Sequence, residues 1–251
     1  MSSRTLKVGG ITQFSATDYP GKIAAVIFVQ GCPWRCGYCH NPHLQERPPH
    51  SPLDWAQIIA FLKRRVGLID AVVFSGGEPT IDPALADAIA EVRQLGFLIG
   101  LHSACIYPKH LVHILPLIDW IGFDVKAPFD RYERITAIAD SGNPARECVK
   151  LILASGVEHE CRTTIHPALL NEEEILGLAQ DLAQIGVKNY VLQSFRAQGC
   201  NNSSLIGSIN GNVIGNVIGN VNGASTGDYP SPALRQKIAP LFKQFILRRA
   251  D

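Results

Sequence analysis

Three cysteines stand close together in the chain, Cys32-Pro-Trp-Arg-Cys36-Gly-Tyr38-Cys39. Thiolates on one short loop can converge on one metal centre. A structural zinc site takes four protein ligands, and an iron–sulfur cluster usually takes four cysteines. No second Cys-x-x-Cys occurs in the sequence, so three ligands are a deficit under either chemistry. Two resolutions remain open. An iron without a protein ligand can bind a cofactor or substrate directly, or a zinc ion can recruit His40 or His43 as its fourth ligand.

Further polar residues recur at regular intervals downstream. In Phe74-Ser-Gly76-Gly77-Glu78-Pro79 the paired glycines allow close backbone approach and Glu78 offers an anionic acceptor. In Gly122-Phe-Asp124-Val-Lys126 the two charges alternate, so on a strand they share a face. They form either an ion pair or a ligand contact. His102-Ser103-Ala-Cys105 follows an apolar run. Its polar side chains either hydrogen-bond a ligand or cap the turn. Arg162, His166 and Gln193 belong to the same series, while Cys148 and Cys161 read as core.

These residues need strands to carry them. Short β-rich runs alternate with amphipathic stretches, the pattern of βα units around parallel strands. Six strands are expected, Ile23–Val29, Ala71–Phe74, Phe97–Leu101, Trp120–Val125, Glu158–Ile165 and Tyr190–Gln193. Helices are expected at Leu53–Val66, Pro83–Leu95, Pro108–Leu117, Pro144–Ala154 and Glu172–Ile185, with Asp82-Pro83 and Asn143-Pro144 as opening signals. Every chemistry-bearing motif then falls at a strand's C-terminal end, where barrel enzymes build their sites. Six units fall short of a closed eight-stranded barrel. The expected fold is an α/β partial (β/α)6 barrel with a wide lateral mouth, one domain over residues 1–251.

The segment 201–228 breaks the pattern. Gly211-Asn-Val-Ile, Gly215-Asn-Val-Ile and Gly219-Asn-Val-Asn repeat within it, and such low complexity argues for an exposed loop or disordered insertion. Residues 232–249 read as a helix interrupted near Pro240. The 23 basic and 22 acidic residues give a net charge of +1, which points away from nucleic-acid and membrane-surface partners. The first residues lack an apolar signal region and no apolar run reaches membrane-spanning length, so a cytoplasmic location is expected. In a reducing compartment clustered cysteines bind metal or catalyse more often than they pair.

The cysteine loop, with aromatic Tyr38 before the last cysteine, resembles the cluster loop of the radical S-adenosylmethionine (radical SAM) superfamily, and Gly76-Gly77-Glu78-Pro79 resembles its GGEP motif. The resemblance implies a radical SAM fold holding one 4Fe-4S cluster on Cys32, Cys36 and Cys39, with S-adenosyl-L-methionine on the fourth iron. It implies cofactor contacts from Tyr38, Gly76, Gly77, Glu78, Pro79, Asp124 and Lys126, and His40, Ser103 and Gln193, from their place at the same mouth, are expected to join them. The turn at Cys105 departs from the family, which typically has Gly there.

The leader Gly9-Gly-Ile-Thr-Gln-Phe-Ser-Ala-Thr-Asp18-Tyr19-Pro-Gly-Lys22, followed by Gln30–Pro42, is similar to the activating proteins of anaerobic ribonucleoside-triphosphate reductase. That likeness implies an oxygen-sensitive oxidoreductase whose substrate is a glycine of a glycyl radical enzyme. It also implies an external electron donor, flavodoxin or ferredoxin. Pyruvate formate-lyase is the alternative partner, and a zinc-binding structural or adaptor protein the alternative of another class.

Overall fold

The computed structural model describes residues 5–209 and 229–249. One sheet of eight strands runs in sequence order from β1 to β8. β1 (Val8–Ser15) is antiparallel to β2 (Ala24–Val29). From β2 the sheet is parallel through β3 (Ala71–Gly76), β4 (Leu98–Ser103), β5 (Trp120–Asp124), β6 (Glu158–Ile165), β7 (Asn189–Ser194) and β8 (Gln244–Arg248). The connections carry α1 (Trp55–Lys63), α2 (Leu85–Gln94), α3 (Pro108–Ile114), α4 (Glu133–Thr136), α5 (Gly142–Ser155), α6 (Glu172–Ile185), α7 (Ser203–Ile209) and α8 (Pro232–Ile238). Among the described residues β1 and β8 do not pair with each other, so the sheet is an open, partial barrel.

The two faces of the sheet follow the period of two along each strand. Ala25, Ile27 and Val29 of β2, Val72 and Phe74 of β3 and Ile121 and Phe123 of β5 join the large core shared with the helices. The alternate residues Ala24, Val26, Ala71, Val73 and Trp120 form a second, small core on the concave face, together with Tyr19. Tyr19 stacks on Trp120 with ring centroids 5.1 Å apart, plugging the barrel where the strands begin. Towards the strand ends the concave positions turn polar, and there the motif residues stand.

The expected six strands are all present, with ends shifted by a few residues. Two more flank them. β1 lies in the leader, where Gly9-Gly10 interrupts the apolar alternation that marks a strand. The expected helix over residues 232–249 is corrected: α8 stops at Ile238, a 3₁₀ turn takes Ala239–Leu241, and the rest is β8. Pro240 cannot continue the helix, and the β-favouring Phe245, Ile246 and Leu247 that follow pair alongside Tyr190, Val191 and Leu192. α5 begins at Gly142, ahead of the expected Asn143-Pro144 start. Asp82 does accept the Ala84 amide at 2.9 Å, although α2 itself starts at Leu85. Of the expected insertion, α7 is described as a helix; the Gly-Asn-Val-Ile repeat lies outside the described residues.

Candidate active site at the strand ends

Cys32, Cys36 and Cys39 follow β2 directly. All are free thiols of intermediate exposure. The loop that carries them is fixed by its backbone: Cys32 N–H donates to the Gln45 carbonyl at 3.0 Å, Arg35 N–H to Thr136 at 2.9 Å and Gly37 N–H to Ile135 at 3.3 Å. The last two acceptors belong to α4. That helix is itself anchored, since Arg131 and Arg134 bind Glu174 of α6 at 2.8 and 2.9 Å. Burial pushes the Cys32 thiol up to about 12 and also raises that of Cys36, with the Lys126 ammonium pulling the other way.

The donor set fits an iron–sulfur cluster. Three thiols sit on one pinned loop, and Cys36 and Cys39 open onto a cavity of about 150 Å³. Among the described residues no three His, Cys, Asp or Glu side chains gather closely enough to hold a single metal ion. Three cysteine thiols are the chemistry of an iron–sulfur cluster, whereas a structural zinc would need a fourth protein ligand. His40, a candidate fourth zinc ligand, instead stacks on Phe195 at 5.7 Å and places Nε2 2.9 Å from the Arg196 carbonyl.

At the end of β3 the paired glycines serve the neighbouring strand. Gly76 has φ of +119°, and a Cβ on it would lie 2.5 Å from the Val29 backbone; one on Gly77 would lie 2.4 Å from the Gly31 carbonyl oxygen. Gly77 and Glu78 N–H groups then donate to Val29 and Gly31 at 2.9 and 2.8 Å, locking the β3 end to the start of the cysteine loop. Pro79 opens a 3₁₀ turn. Glu78 is fully buried, and its carboxylate points into the protein. It accepts from Thr80 N–H and Oγ at 3.2 and 2.6 Å, from Ser103 Oγ at 3.0 Å and from Ala104 N–H at 2.7 Å. Burial pushes this carboxyl above the usual carboxylate range against those donors. Glu78 and Ser103 thus engage each other and brace two strand ends.

Asp124 and Lys126 form the ion pair that their spacing allowed, Nζ to Oδ2 at 3.1 Å. Burial opposes both charges. The ammonium of Lys126 and the guanidinium of Arg162 nevertheless hold Asp124 below the usual carboxylate range, while Tyr38 and Asp124 keep Lys126 well above its ordinary value. Lys126 Nζ also lies 5.5 Å from the centre of the Tyr38 ring. Tyr38 is buried, so its ring covers this pair from the cysteine-loop side.

Next along the barrel, His102 Nε2 lies 2.8 Å from the Asp18 carbonyl and Nδ1 3.3 Å from Ser75 Oγ. Burial, aided by Arg162, pushes its imidazole down to about 4. The neutral ring therefore donates from Nε2 to Asp18 and accepts the Ser75 hydroxyl at Nδ1. Gln193 reaches the mouth but is engaged: its Oε1 accepts from Arg248 of β8 at 2.8 Å. Arg248 also meets Glu160 at 3.2 Å, and Glu160 holds Arg162 Nε at 2.7 Å. The guanidinium of Arg162 in turn lies 5.2 Å over the Trp120 ring. His166 lies edge-on to Phe195 with centroids 5.6 Å apart, and its Nδ1 accepts the Ala168 amide at 3.1 Å.

Sequence reasoning missed Asp18, Glu160, Arg248 and Asn202. Asn202 donates from Nδ2 to the Gly37 carbonyl at 3.0 Å. Its signal was present in Asn201-Asn202-Ser-Ser ahead of an apolar run, a helix N-cap pattern. The role of Arg248 required knowing that its segment is a strand.

Known proteins resemble this chain in sequence and in fold. A model of the radical SAM superfamily matches residues 26–191, the span from β2 into β7. The chain is 32% identical over 200 residues to a protein of Methanocaldococcus jannaschii named as a glycyl-radical enzyme activating enzyme, covering 75% of this chain and 79% of that one. It is 29% identical over 203 residues to the pyruvate formate-lyase-activating enzyme of Clostridium pasteurianum, covering 78% and 84%. The structure of Streptococcus suis SuiB bound to its precursor peptide SuiA aligns with a TM-score of 0.61 over 89% of this chain and 48% of that one, at 14% identity, a likeness of fold.

Proposed function

The chain belongs to the radical SAM superfamily, among its glycyl-radical enzyme activating enzymes, and on that premise we propose that its substrate is a glycine loop of anaerobic ribonucleoside-triphosphate reductase. Its cofactors are a 4Fe-4S cluster and S-adenosylmethionine. When bound, the cluster and S-adenosylmethionine would supply one-electron reductive cleavage of the sulfonium, and with it the abstraction of one hydrogen atom from the glycine, giving methionine, 5′-deoxyadenosine and a glycyl radical.

Cys32, Cys36 and Cys39 would hold the cluster through their thiolates and leave room for S-adenosylmethionine where the protein offers no fourth ligand. The Gly76-Gly77 backbone, locked to the start of the cysteine loop and braced by Glu78 and Ser103, would receive the methionine end of the cofactor. The Asp124–Lys126 pair supplies charges at the mouth. Hydrogen-atom transfer needs positioning rather than a side-chain base, which agrees with the neutral His102 and the paired state of the charged residues.

The observation that carries the choice of partner is the leader. Its Gly9–Lys22 motif forms β1 and the turn that brings Asp18 and Tyr19 against the barrel's inner wall. A second reading, activation of pyruvate formate-lyase, is favoured by the C. pasteurianum relative. Low-potential electrons come from flavodoxin or ferredoxin in either case.

The test is anaerobic reconstitution with iron and sulfide, then reduction with S-adenosylmethionine in the presence of each candidate enzyme. A glycyl radical resonance on the reductase alone is expected. A signal on the lyase alone overturns the choice of partner, and failure to form 5′-deoxyadenosine overturns the chemistry.

A further inference from the structure

The strap that leaves β7 serves no step of that reaction, yet it closes over the cysteine loop. Its Arg196 carbonyl meets His40 Nε2 at 2.9 Å. Its Gly199 lies against His40 so tightly that a Cβ would sit 2.4 Å from the His40 carbonyl oxygen. At its end stands Asn202, whose side chain is used at both poles. Oδ1 accepts from Ser204 N–H at 3.2 Å, Ser204 Oγ at 2.6 Å and Leu205 N–H at 3.4 Å, opening α7. Nδ2 donates to the Gly37 carbonyl at 3.0 Å. The partners fix the amide's orientation, because turning it over would set donor against donor at α7 and acceptor against acceptor at Gly37.

Gly37 lies between the second and third cysteines. Its N–H is held by the Ile135 carbonyl of α4 and its C=O by Asn202 at 3.0 Å, with the Cys200 thiol a longer, weaker donor at 3.8 Å, so its polar atoms are gripped from two sides. Asn202 and Gly37 also line the cavity onto which Cys36 and Cys39 open. We propose that Asn202 is a positioning residue for the iron–sulfur cluster. By holding the Gly37 carbonyl it sets the peptide plane between two ligand thiols, so the loop is shaped before iron arrives. Preorganisation of this kind removes the ordering cost from the loading step. The inference rests on membership in the radical SAM superfamily, which supplies the cluster, and is independent of which glycyl radical enzyme is the partner.

The rival role is that Asn202 only caps α7. Asn202→Asp separates the two, because Asp caps helices as well as Asn does but cannot donate to a carbonyl. Ser204→Ala is the control, touching only the cap. Hydrogen exchange is followed by mass spectrometry on the metal-free full chain, and iron bound per chain is measured after anaerobic reconstitution. Asn202→Asp is expected to speed exchange over residues 35–40 about five- to tenfold, the effect of one lost hydrogen bond. Residues 203–209 should exchange as in the parent, and iron incorporation should fall; Ser204→Ala should change neither cysteine-loop exchange nor iron. Unchanged exchange over the cysteine loop in Asn202→Asp, or any loosening of α7 in that variant, assigns the residue to the cap and overturns the proposal. If Asn202→Asp does not fold, Asn202→Ala is read the same way against Ser204→Ala: loop exchange faster than the α7 change accounts for supports the proposal, and loosening confined to α7 overturns it.

Discussion

The loops that follow β2 and β3 carry the two strongest motifs, and they are built in opposite ways. After β2 the chemistry-bearing atoms are left available: three free thiols stand on a loop that is held mainly through its backbone N–H and C=O groups. After β3 the chemistry-bearing atoms are consumed, since the Glu78 carboxylate is filled by Thr80, Ser103 and Ala104. A motif residue can therefore serve a cofactor by presenting itself or by stiffening the residue that does. Under the proposed function the cysteines would do the first and Glu78 the second.

Cys36→Ala is expected to break the first loop completely. Iron binding and formation of 5′-deoxyadenosine should both be lost. The metal-free protein should keep its stability to within about 1 kcal/mol, as a small substitution at a partly exposed site does. Anaerobic iron analysis and thermal melting measure the two halves of that expectation. A large drop in the melting temperature of the metal-free variant would mean that the thiol is a core group after all.

Glu78→Ala should behave in the reverse sense. It leaves two backbone amides and two hydroxyls buried without an acceptor, which costs on the order of 3 kcal/mol and lowers the melting temperature of the metal-free chain by roughly 6–12 °C. Should Glu78→Ala melt like the parent and lose only its affinity for S-adenosylmethionine, Glu78 is a ligand and the contrast between the loops fails.

The difference in construction also decides what could be read from the sequence. The cysteines, the glycine pair and Asp124-x-Lys126 are legible because their geometry is local: spacing along one strand or loop fixes which atoms lie together. The six inner strands are legible for the same reason. Glu78 is visible as a charged residue, but its inward turn depends on Ser103, 25 residues away, and no local pattern reveals that. Gln193 is similar: it reads as a mouth residue, and its Arg248 partner comes from a segment that resembles a helix until Pro240 stops it. β1 was hidden by its glycines, whose lack of a side chain erases alternation.

His102 tests the barrel wall between the two loops. Its imidazole is held down to about 4, while in the unfolded chain it titrates near 6.5. As the pH falls through that interval the unfolded state takes up the proton first, so folding stability declines from about pH 6.5 to pH 4, by on the order of 3 kcal/mol. His102→Gln keeps a donor for the Asp18 carbonyl and cannot titrate. Urea melts across this range should show a flatter pH dependence in the variant, and an unchanged slope would assign the acid sensitivity to another group.

The smallest effect is expected at Cys105, the turn that lets Ala104 reach Glu78. The resemblance to the radical SAM family leads one to expect Gly here, and Cys105 takes the conformation that glycine favours: its φ is +63°, a left-handed conformation that costs an L-residue roughly 1–2 kcal/mol. The turn keeps glycine's path without glycine. Two things hold it there. Ser103 Oγ accepts the Cys105 N–H at 3.0 Å, and the Cys105 side chain is fully buried against Cys148. Cys105→Gly relieves the strain, keeps the amide bond and gives up buried surface worth about 1 kcal/mol. The two changes nearly cancel, so melting should move by no more than about 4 °C, with cofactor affinity unaltered. A loss several times larger would show that the packed thiol, rather than the hydrogen bonds around Glu78, sets the path of this turn, and would move the brace from Glu78 to the core beneath it.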